Sequence, residues 1–334
     1  MCRYQRGRTL DRRCLQSAPT SDPSASGPTS RRPTVNTPTD SPSPVTRVAV
    51  LGIGMMGFPM GRRLCEAGFE VHAWNRSRAK AERLQACGAT VHDTPGGAAS
   101  AAQVVVTLLE DGLAVDDVLF RQGAAEAMTP GTIVLDMSSI QPRQAREHAA
   151  RLGERGVHHV DAPVSGGTLG AEQGTLAIMA GGKPADLERL APVLAVFGRT
   201  THVGPHGTGQ LAKLANQMIV GITIGAVAEA LLLCERGGAD MARVKQAITG
   251  GFADSRILQV HGQRMIERDF AKRGAMTVQL KDMRNALATA QEVGFDAPIT
   301  ALFERLYAEG VEHGLNDLDH SALFVELASR NGMA

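Results

Sequence analysis

The segment RVAVLGIGMMGFPM (47–60) constrains the fold more than any other stretch. An apolar run of strand length ends in Gly52, and Gly52, Gly54 and Gly57 spell G-x-G-x-x-G at the opening of a segment with helical spacing. In that setting the glycines let the turn close and let the backbone approach a pyrophosphate. The helix start adds unpaired N–H groups and a partial positive charge. A ligand-free turn would carry the same glycines, but here strand, helix and a second strand follow at the right distances. The expected cofactor contacts are Gly52, Ile53, Gly54, Met55, Met56 and Gly57.

Short apolar runs at 47–52, 70–75, 104–109, 132–137, 158–164 and 175–181 alternate with helical spacing at 58–67, 77–87, 142–152 and 184–197. That alternation predicts βαβ units and a largely parallel, doubly wound sheet. After about residue 205 the pattern becomes helical, over 208–236, 241–249, 255–268, 276–293 and 298–313. Leu280, Met283, Leu287 and Ala290 recur on one helix face. The expected architecture is an α/β Rossmann-like NAD(P)-binding domain (45–205) and an all-α C-terminal domain (206–334), joined by a long helix at about 208–236. Residues 1–44 hold seven of the sixteen prolines, seven arginines and no lysine, and read as a disordered low-complexity tail. Organellar targeting by that tail is disfavoured by its prolines, so the expected location is cytoplasmic.

A formal net charge of +1 suggests no nucleic-acid footprint. The five cysteines include no C-x-x-C pair, in keeping with a reducing compartment. The ten histidines form no ligand set by spacing, and adjacent His158 and His159 fit a strand start, so no metal is expected. The longest uncharged stretch in the long helix, between Lys213 and Glu229, is short of the ~20 residues that span a bilayer. No membrane association is expected.

Where an acidic residue would hold an adenosine ribose, the chain reads WNRSRAK (74–80). Asn75 has no charge to repel a 2′-phosphate, and Arg76, Ser77, Arg78 and Lys80 follow. An arginine there can pair with a phosphate in a bidentate manner, which favours NADP (NADPH) over NAD.

In GQLAKLANQMIV (209–220), Lys213 stands early in an otherwise apolar helix. Gln210, Asn216 and Gln217 share its face, which one turn later becomes Val220 and Ile224. A solvated face would continue; this polar patch stops, as a cleft-lining patch does. Ser165, Gly166 and Gly167, after the strand at 158–164, offer backbone N–H groups and a hydroxyl to a small carboxylate. In QLKDMRNAL (279–287), Lys281 and Asp282 flank the apolar face. Two lysines at one cleft depress each other's pKa and poise an amine for proton transfer.

DAPVSGG with the following GTL, G-x-G-x-x-x-K-x-x-N at 207–216, the glycine turn and the Lys281–Asp282 pair together resemble the β-hydroxyacid dehydrogenase family. That family includes 3-hydroxyisobutyrate dehydrogenases, tartronate semialdehyde reductases and glyoxylate/succinic semialdehyde reductases. The resemblance covers residues 46 to about 325. It implies reversible oxidation of a 3-hydroxy acid to its semialdehyde with NAD(P), and homodimers or homotetramers formed through the helical domain. It implies that Lys213 exchanges the proton, Asn216 orients the reacting group, and Ser165, Gly166 and Gly167 hold the carboxylate. Gln217, Lys281 and Asp282 complete the substrate cleft, with Leu108, Leu109, Ser139 and Lys281 beside the cofactor. The chain departs from the family at Gln217, where relatives carry asparagine, and at Gly274, where many carry phenylalanine. KLANQ looks most like the tartronate semialdehyde reductases. An imine-reductase-like role shares the WNRS-type stretch but usually lacks the lysine. A non-catalytic dinucleotide-binding module would have lost Lys213 or the SGG loop.

Overall fold

The computed structural model describes residues 44–333. The expectations for the tail therefore fall, Pro44 apart, outside the described residues. Nine strands form one sheet: β1 (Arg47–Leu51), β2 (Glu70–Trp74), β3 (Thr90–Val91), β4 (Val104–Thr107), β5 (Ile133–Asp136), β6 (His158–Asp161), β7 (Val164–Ser165), β8 (Leu176–Gly181) and β9 (Gly198–Gly204). Their order is β3-β2-β1-β4-β5-β6-β8-β7, with β9 paired to β8. The strands from β3 to β6 are all parallel, and β8 runs antiparallel to β6 and β7. The winding reverses between β1 and β4, and a doubly wound sheet opens a crevice at the carboxyl ends of such strands.

Alternation along the strands divides the core. Val48, Val50, Val104, Val106, Ile133 and Leu135 pack against Met60 and Leu64 of the glycine-turn helix, Gly57–Glu66. Ala49, Leu51, Val105 and Val134 pack on the opposite face, against Ala145 and Leu152 of the helix Pro142–Gly153. Both faces are covered, which is why these strands read as continuous apolar runs.

The run at 158–164 is split by Ala162 and Pro163 into β6 and β7, since proline brings no N–H to a ladder. Sequence patterning missed β3, only two residues long, and β9, whose polar GRTTHVG makes an edge strand. The helix expected at 77–87 is shorter, Arg78–Glu82 followed by a tight turn at Gln85–Cys87. A C-terminal helix, Leu323–Arg330, was also not anticipated; it buries Leu323, Phe324, Leu327 and Ala328 in the helical core.

The long helix runs Thr208–Arg236. Its 29 residues meet the length and apolarity of a bilayer-crossing helix, beyond what the uncharged stretch suggested. Here its Ile224, Ala228, Leu231 and Leu232 enter the helical core. Side chains at Gly221 and Gly225 would collide with Met283 and Phe303, so these glycines admit the neighbouring helices. In the helix Met276–Glu292 the buried face is Met276, Leu280, Met283 and Ala286, with Gln279 and Asp282 also buried. Leu287 and Ala290 are only half-buried. The face is thus rotated from the one expected, and Asp282 lies in it rather than beside it.

Candidate functional site

The glycine turn is closed by two glycines and opened by the third. Gly52 has φ 107°, and a Cβ there would run into the Leu108 carbonyl. A Cβ at Gly57 would overlap the Gly52 carbonyl, whereas one at Gly54 would meet nothing within 4 Å. The turn therefore fits a dinucleotide, with the bare face at Gly54 and the helix start open to a pyrophosphate. Met55 is exposed and Met56 half-buried beside it. Gly52 N–H donates to Trp74 O at 3.0 Å, Leu108 N–H to Leu51 O at 3.0 Å, and Leu109 N–H to Ser138 Oγ at 3.1 Å.

Asn75 braces this turn. Its Oδ1 accepts from Ile53 N–H at 2.9 Å and its Nδ2 donates to Ser77 O at 3.0 Å. Arg76 and Ser77 are exposed, and Arg76 has no ion-pair partner among the described residues. Arg78 is drawn instead to Glu82, at 2.9 Å, and to Asp93.

The ammonium of Lys213 donates to Val164 O and to Gln217 Oε1, both at 2.9 Å. An ammonium has three hydrogens, so one remains for a substrate. Val164 immediately precedes Ser165, Gly166 and Gly167, which places the lysine beside the loop expected to take a carboxylate. Gly166 and Gly167 have φ 139° and 65°, so glycine is required by the backbone there as well as by access. Burial lowers the Lys213 pKa; Asp282 opposes this and Lys281 adds to it. The second lysine, the cause expected from the sequence, contributes less than burial, because withdrawing the ammonium from water acts more strongly.

Gln217 is fully engaged. Its Oε1 accepts from Lys213 and, at 2.8 Å, from Asn216 Nδ2; its Nε2 donates to Asp282 Oδ2 at 2.7 Å. Asn216 Oδ1 takes no partner among the described residues. Asp282 also accepts from Ser139 Oγ at 3.2 Å, and Lys281 Nζ donates to Glu110 O and Ser139 O, both at 3.1 Å. One continuous set of contacts thus runs from Val164 through Lys213, Gln217 and Asp282 to Ser139, joining the two halves of the chain. Arg76 and Ser77 stand outside it.

Sequence reasoning missed three contributors. Gln210, on the lysine's face by projection, is buried and turned away. It donates to Ser138 O at 2.8 Å and accepts from Ile140 N–H at 3.0 Å, fixing the loop that carries Ser139. Asp161 anchors the long helix by accepting from Gly207 and Gln210 N–H. Gln279 donates to Gln217 O at 3.0 Å. The helix projection placed Gln210 in the polar patch without its turn toward Ser138 and Ile140, and no sequence pattern signalled the contacts of Asp161 or Gln279.

The histidines are gathered as spacing could not foresee. Ligand-type atoms of Asp136, His148 and His159 lie within 4.8 Å of one another, as do those of His159, Asp161 and His206. Strands β5 and β6 and the helix Pro142–Gly153 bring together groups far apart in sequence. Both nitrogens of His159, His148 Nδ1 and Asp136 Oδ2 find no hydrogen-bond partner among the described residues. Burial pushes the His159 pKa down to about 3. Adjacent His158, by contrast, pairs with Asp186 at 2.7 Å.

Two family models cover nearly the whole described chain. Residues 47–204 match the NAD-binding domain of 6-phosphogluconate dehydrogenase, and residues 207–327 match the NAD-binding domain of NADP-dependent 3-hydroxyisobutyrate dehydrogenase. The 2-hydroxy-3-oxopropionate reductase of Escherichia coli is 39% identical over 292 residues, 86% of this chain and all of that one. The chain belongs to the β-hydroxyacid dehydrogenase family. Among solved structures, the 3-hydroxyisobutyrate dehydrogenase of Mycobacterium tuberculosis with L-serine is 32% identical at a TM-score of 0.78, covering 85% of this chain and 99% of that one. Psf3 in complex with NADP+ and 2-OPP is 26% identical at a TM-score of 0.76, covering 84% and 99%. As a β-hydroxyacid dehydrogenase, the protein is an NAD(P)-dependent oxidoreductase acting on a CH–OH group, of the 3-hydroxyisobutyrate dehydrogenase and tartronate semialdehyde reductase kind.

Proposed function

We propose that this β-hydroxyacid dehydrogenase is an NADP-linked enzyme that interconverts a semialdehyde with a three-carbon backbone and its 3-hydroxy acid, with Lys213 as general acid and base. The observation that carries this reading is the Lys213 ammonium, held by two acceptors beside the Ser165–Gly167 loop with one hydrogen left over. The loop N–H groups and the Ser165 hydroxyl receive the substrate carboxylate, and Asn216 Oδ1, free of other partners, orients the reacting group. A nicotinamide held at the glycine turn would supply or take up the hydride at the carbonyl carbon. In reduction Lys213 passes a proton to the carbonyl oxygen as negative charge develops there, leaving a neutral amine and an alcohol. In oxidation the neutral amine takes that proton back. Gln217 and Asp282 hold the lysine through its Oε1 acceptor, while Lys281 fastens the helical half over the loop of Ser139.

The preference for NADP rests on Arg76. It is free of ion pairs among the described residues, while Asn75, which braces the turn, carries no charge to repel a 2′-phosphate. Arg76→Ala is expected to lower kcat/KM with NADPH by about 10–100-fold and to leave NADH nearly unchanged. The whole reading is tested by following NADPH and NADH oxidation with tartronate, methylmalonate and succinic semialdehydes and with glyoxylate. Equal turnover by wild type and Lys213→Ala would overturn the mechanism. A preference for glyoxylate or succinic semialdehyde would replace the three-carbon assignment.

A further inference from the structure

The buried cluster of Asp136, His148 and His159 offers donor atoms that the protein itself does not use. Both ring nitrogens of His159, Nδ1 of His148 and Oδ2 of Asp136 are sealed from solvent and take no hydrogen bond among the described residues. One ligand-type atom from each of the three residues lies within 4.8 Å of the other two. Donors around a tetrahedral ion stand roughly 3.4 Å apart, so shifts of about an ångström close the set. Asp136 is fixed from its other side: Oδ1 accepts from Thr107 Oγ1 at 2.7 Å and from Ser138 N–H at 3.0 Å, which leaves Oδ2 unclaimed. His148 Nε2 lies 3.9 Å from Asp116 Oδ1, so a carboxylate stands behind the ring whose Nδ1 is orphaned. Carboxylates and imidazoles that bind metals are braced from behind in this way.

Two other sets bring together three residues of these types, but their carboxylates are taken. Asp161 accepts from Gly207 N–H with one oxygen and from Gln210 N–H with the other. Asp319 accepts from Ser321 and Arg264 with Oδ1 and from Gly274 N–H with Oδ2. Among the described residues, the core triad alone has a carboxylate oxygen and imidazole nitrogens open together. His159 is packed, at 5.9 Å between ring centroids, against the half-buried His206, so one side chain separates the triad from solvent.

We infer that Asp136, His148 and His159 bind one zinc-class divalent cation, which ties β5, β6 and the helix Pro142–Gly153 together beneath the loop of Ser138 and Ser139. Two imidazole nitrogens and one carboxylate oxygen suit zinc and its first-row neighbours, whereas magnesium and calcium ask for oxygen donors. A cation there turns buried groups that cost stability into ligands that add to it. Its part is structural. Asp136 holds Ser138 N–H, and Ser138 O accepts from Gln210 of the long helix, so the ion steadies the floor of the Lys213 cleft without touching a substrate.

The test uses the full chain, stripped with a chelator, dialysed and titrated with ZnCl2, and reads calorimetry and the thermal midpoint. Wild type is expected to bind about one Zn2+ per chain with a Kd of about 1 μM or below. Its midpoint is expected to rise by about 5 °C at free Zn2+ a hundredfold above Kd, and MgCl2 to do neither. His159→Leu takes two orphaned nitrogens out of the core, so without metal it is expected to fold and to melt no lower than wild type. What it loses is the response to zinc. Asp136→Asn, which keeps an acceptor for Thr107 and Ser138, is expected to weaken zinc binding by at least about tenfold. His92→Gln, at the separate His72–His92 pair, is expected to bind as wild type does. No zinc binding by wild type, binding that survives in His159→Leu or is lost in His92→Gln, or an equal response to Mg2+ overturns the inference.

Discussion

Two buried polar clusters lie on either side of the loop that carries Ser138 and Ser139, and they are built in opposite ways. Around Lys213 the ammonium, both ends of the Gln217 amide and both Asp282 oxygens are hydrogen-bonded. In the cluster of Asp136, His148 and His159, four ring or carboxyl atoms have no hydrogen-bond partner among the described residues. A satisfied network defines one geometry at little cost, while orphaned buried groups cost about 1–3 kcal/mol each. The first arrangement suits a site that must place a proton donor; the second marks polar groups whose place in the core is not repaid by contacts with the protein.

The largest expected effect removes the donor itself. Lys213→Ala is expected to lower kcat by about 10²–10⁴-fold, the range ordinary for a general acid, with the fold retained by circular dichroism. Gln217→Leu would leave Asp282 and Lys213 each short of a partner. Its kcat is expected to fall by roughly 10–100-fold while KM for the cofactor changes little, and a marked rise in that KM would make Gln217 a cofactor ligand instead. Because burial lowers the Lys213 pKa, the reductive rate is expected to fall as pH rises through a value below 10.5, where the ammonium is lost, and the oxidative rate to rise. A pH–rate profile in both directions checks this, and Lys213→Ala should flatten it.

The histidine cluster should respond in the other sense. His159→Leu removes two orphaned nitrogens from the core and is expected to stabilise the protein by about 1 kcal/mol, raising the thermal midpoint by a few degrees. Acid sharpens the contrast. The folded-state pKa of His159, about 3, lies below the ordinary 6.5, so on acidification the unfolded chain takes up a proton that the folded chain refuses. Stability is thus lost as pH falls below about 6.5, and the advantage of His159→Leu should grow by roughly 2 kcal/mol between pH 7 and pH 5. An advantage independent of pH would mean that His159 is stabilised by unseen partners.

How much of this was legible depended on distance along the chain. The glycine turn, the parallel strands and the long helix are written in local patterns: three glycines after an apolar run, apolar runs of strand length, apolar residues at helical spacing. The polar patch of Lys213, Asn216 and Gln217 was legible for the same reason, since all three sit within two turns of one helix. Edge strand β9 was not, because an exposed strand needs no apolar run. Nor was the burial of Asp282, which depends on which face of its helix meets the long helix.

By itself, the sequence determined the Rossmann-like domain, the helical domain after it, and the residue types of the site, because strand, turn and helix are selected by neighbours a few residues apart. Only the tertiary structure decided how those residues are used. It set Gln217 between Lys213 and Asp282, drew Arg78 to Glu82 and Asp93 while leaving Arg76 without an ion pair among the described residues, and stood His320 against Gly274. Gln217 meets Asp282 from 65 positions away and Gly274 meets His320 from 46, across packed elements, and no local period in a sequence encodes a contact of that kind.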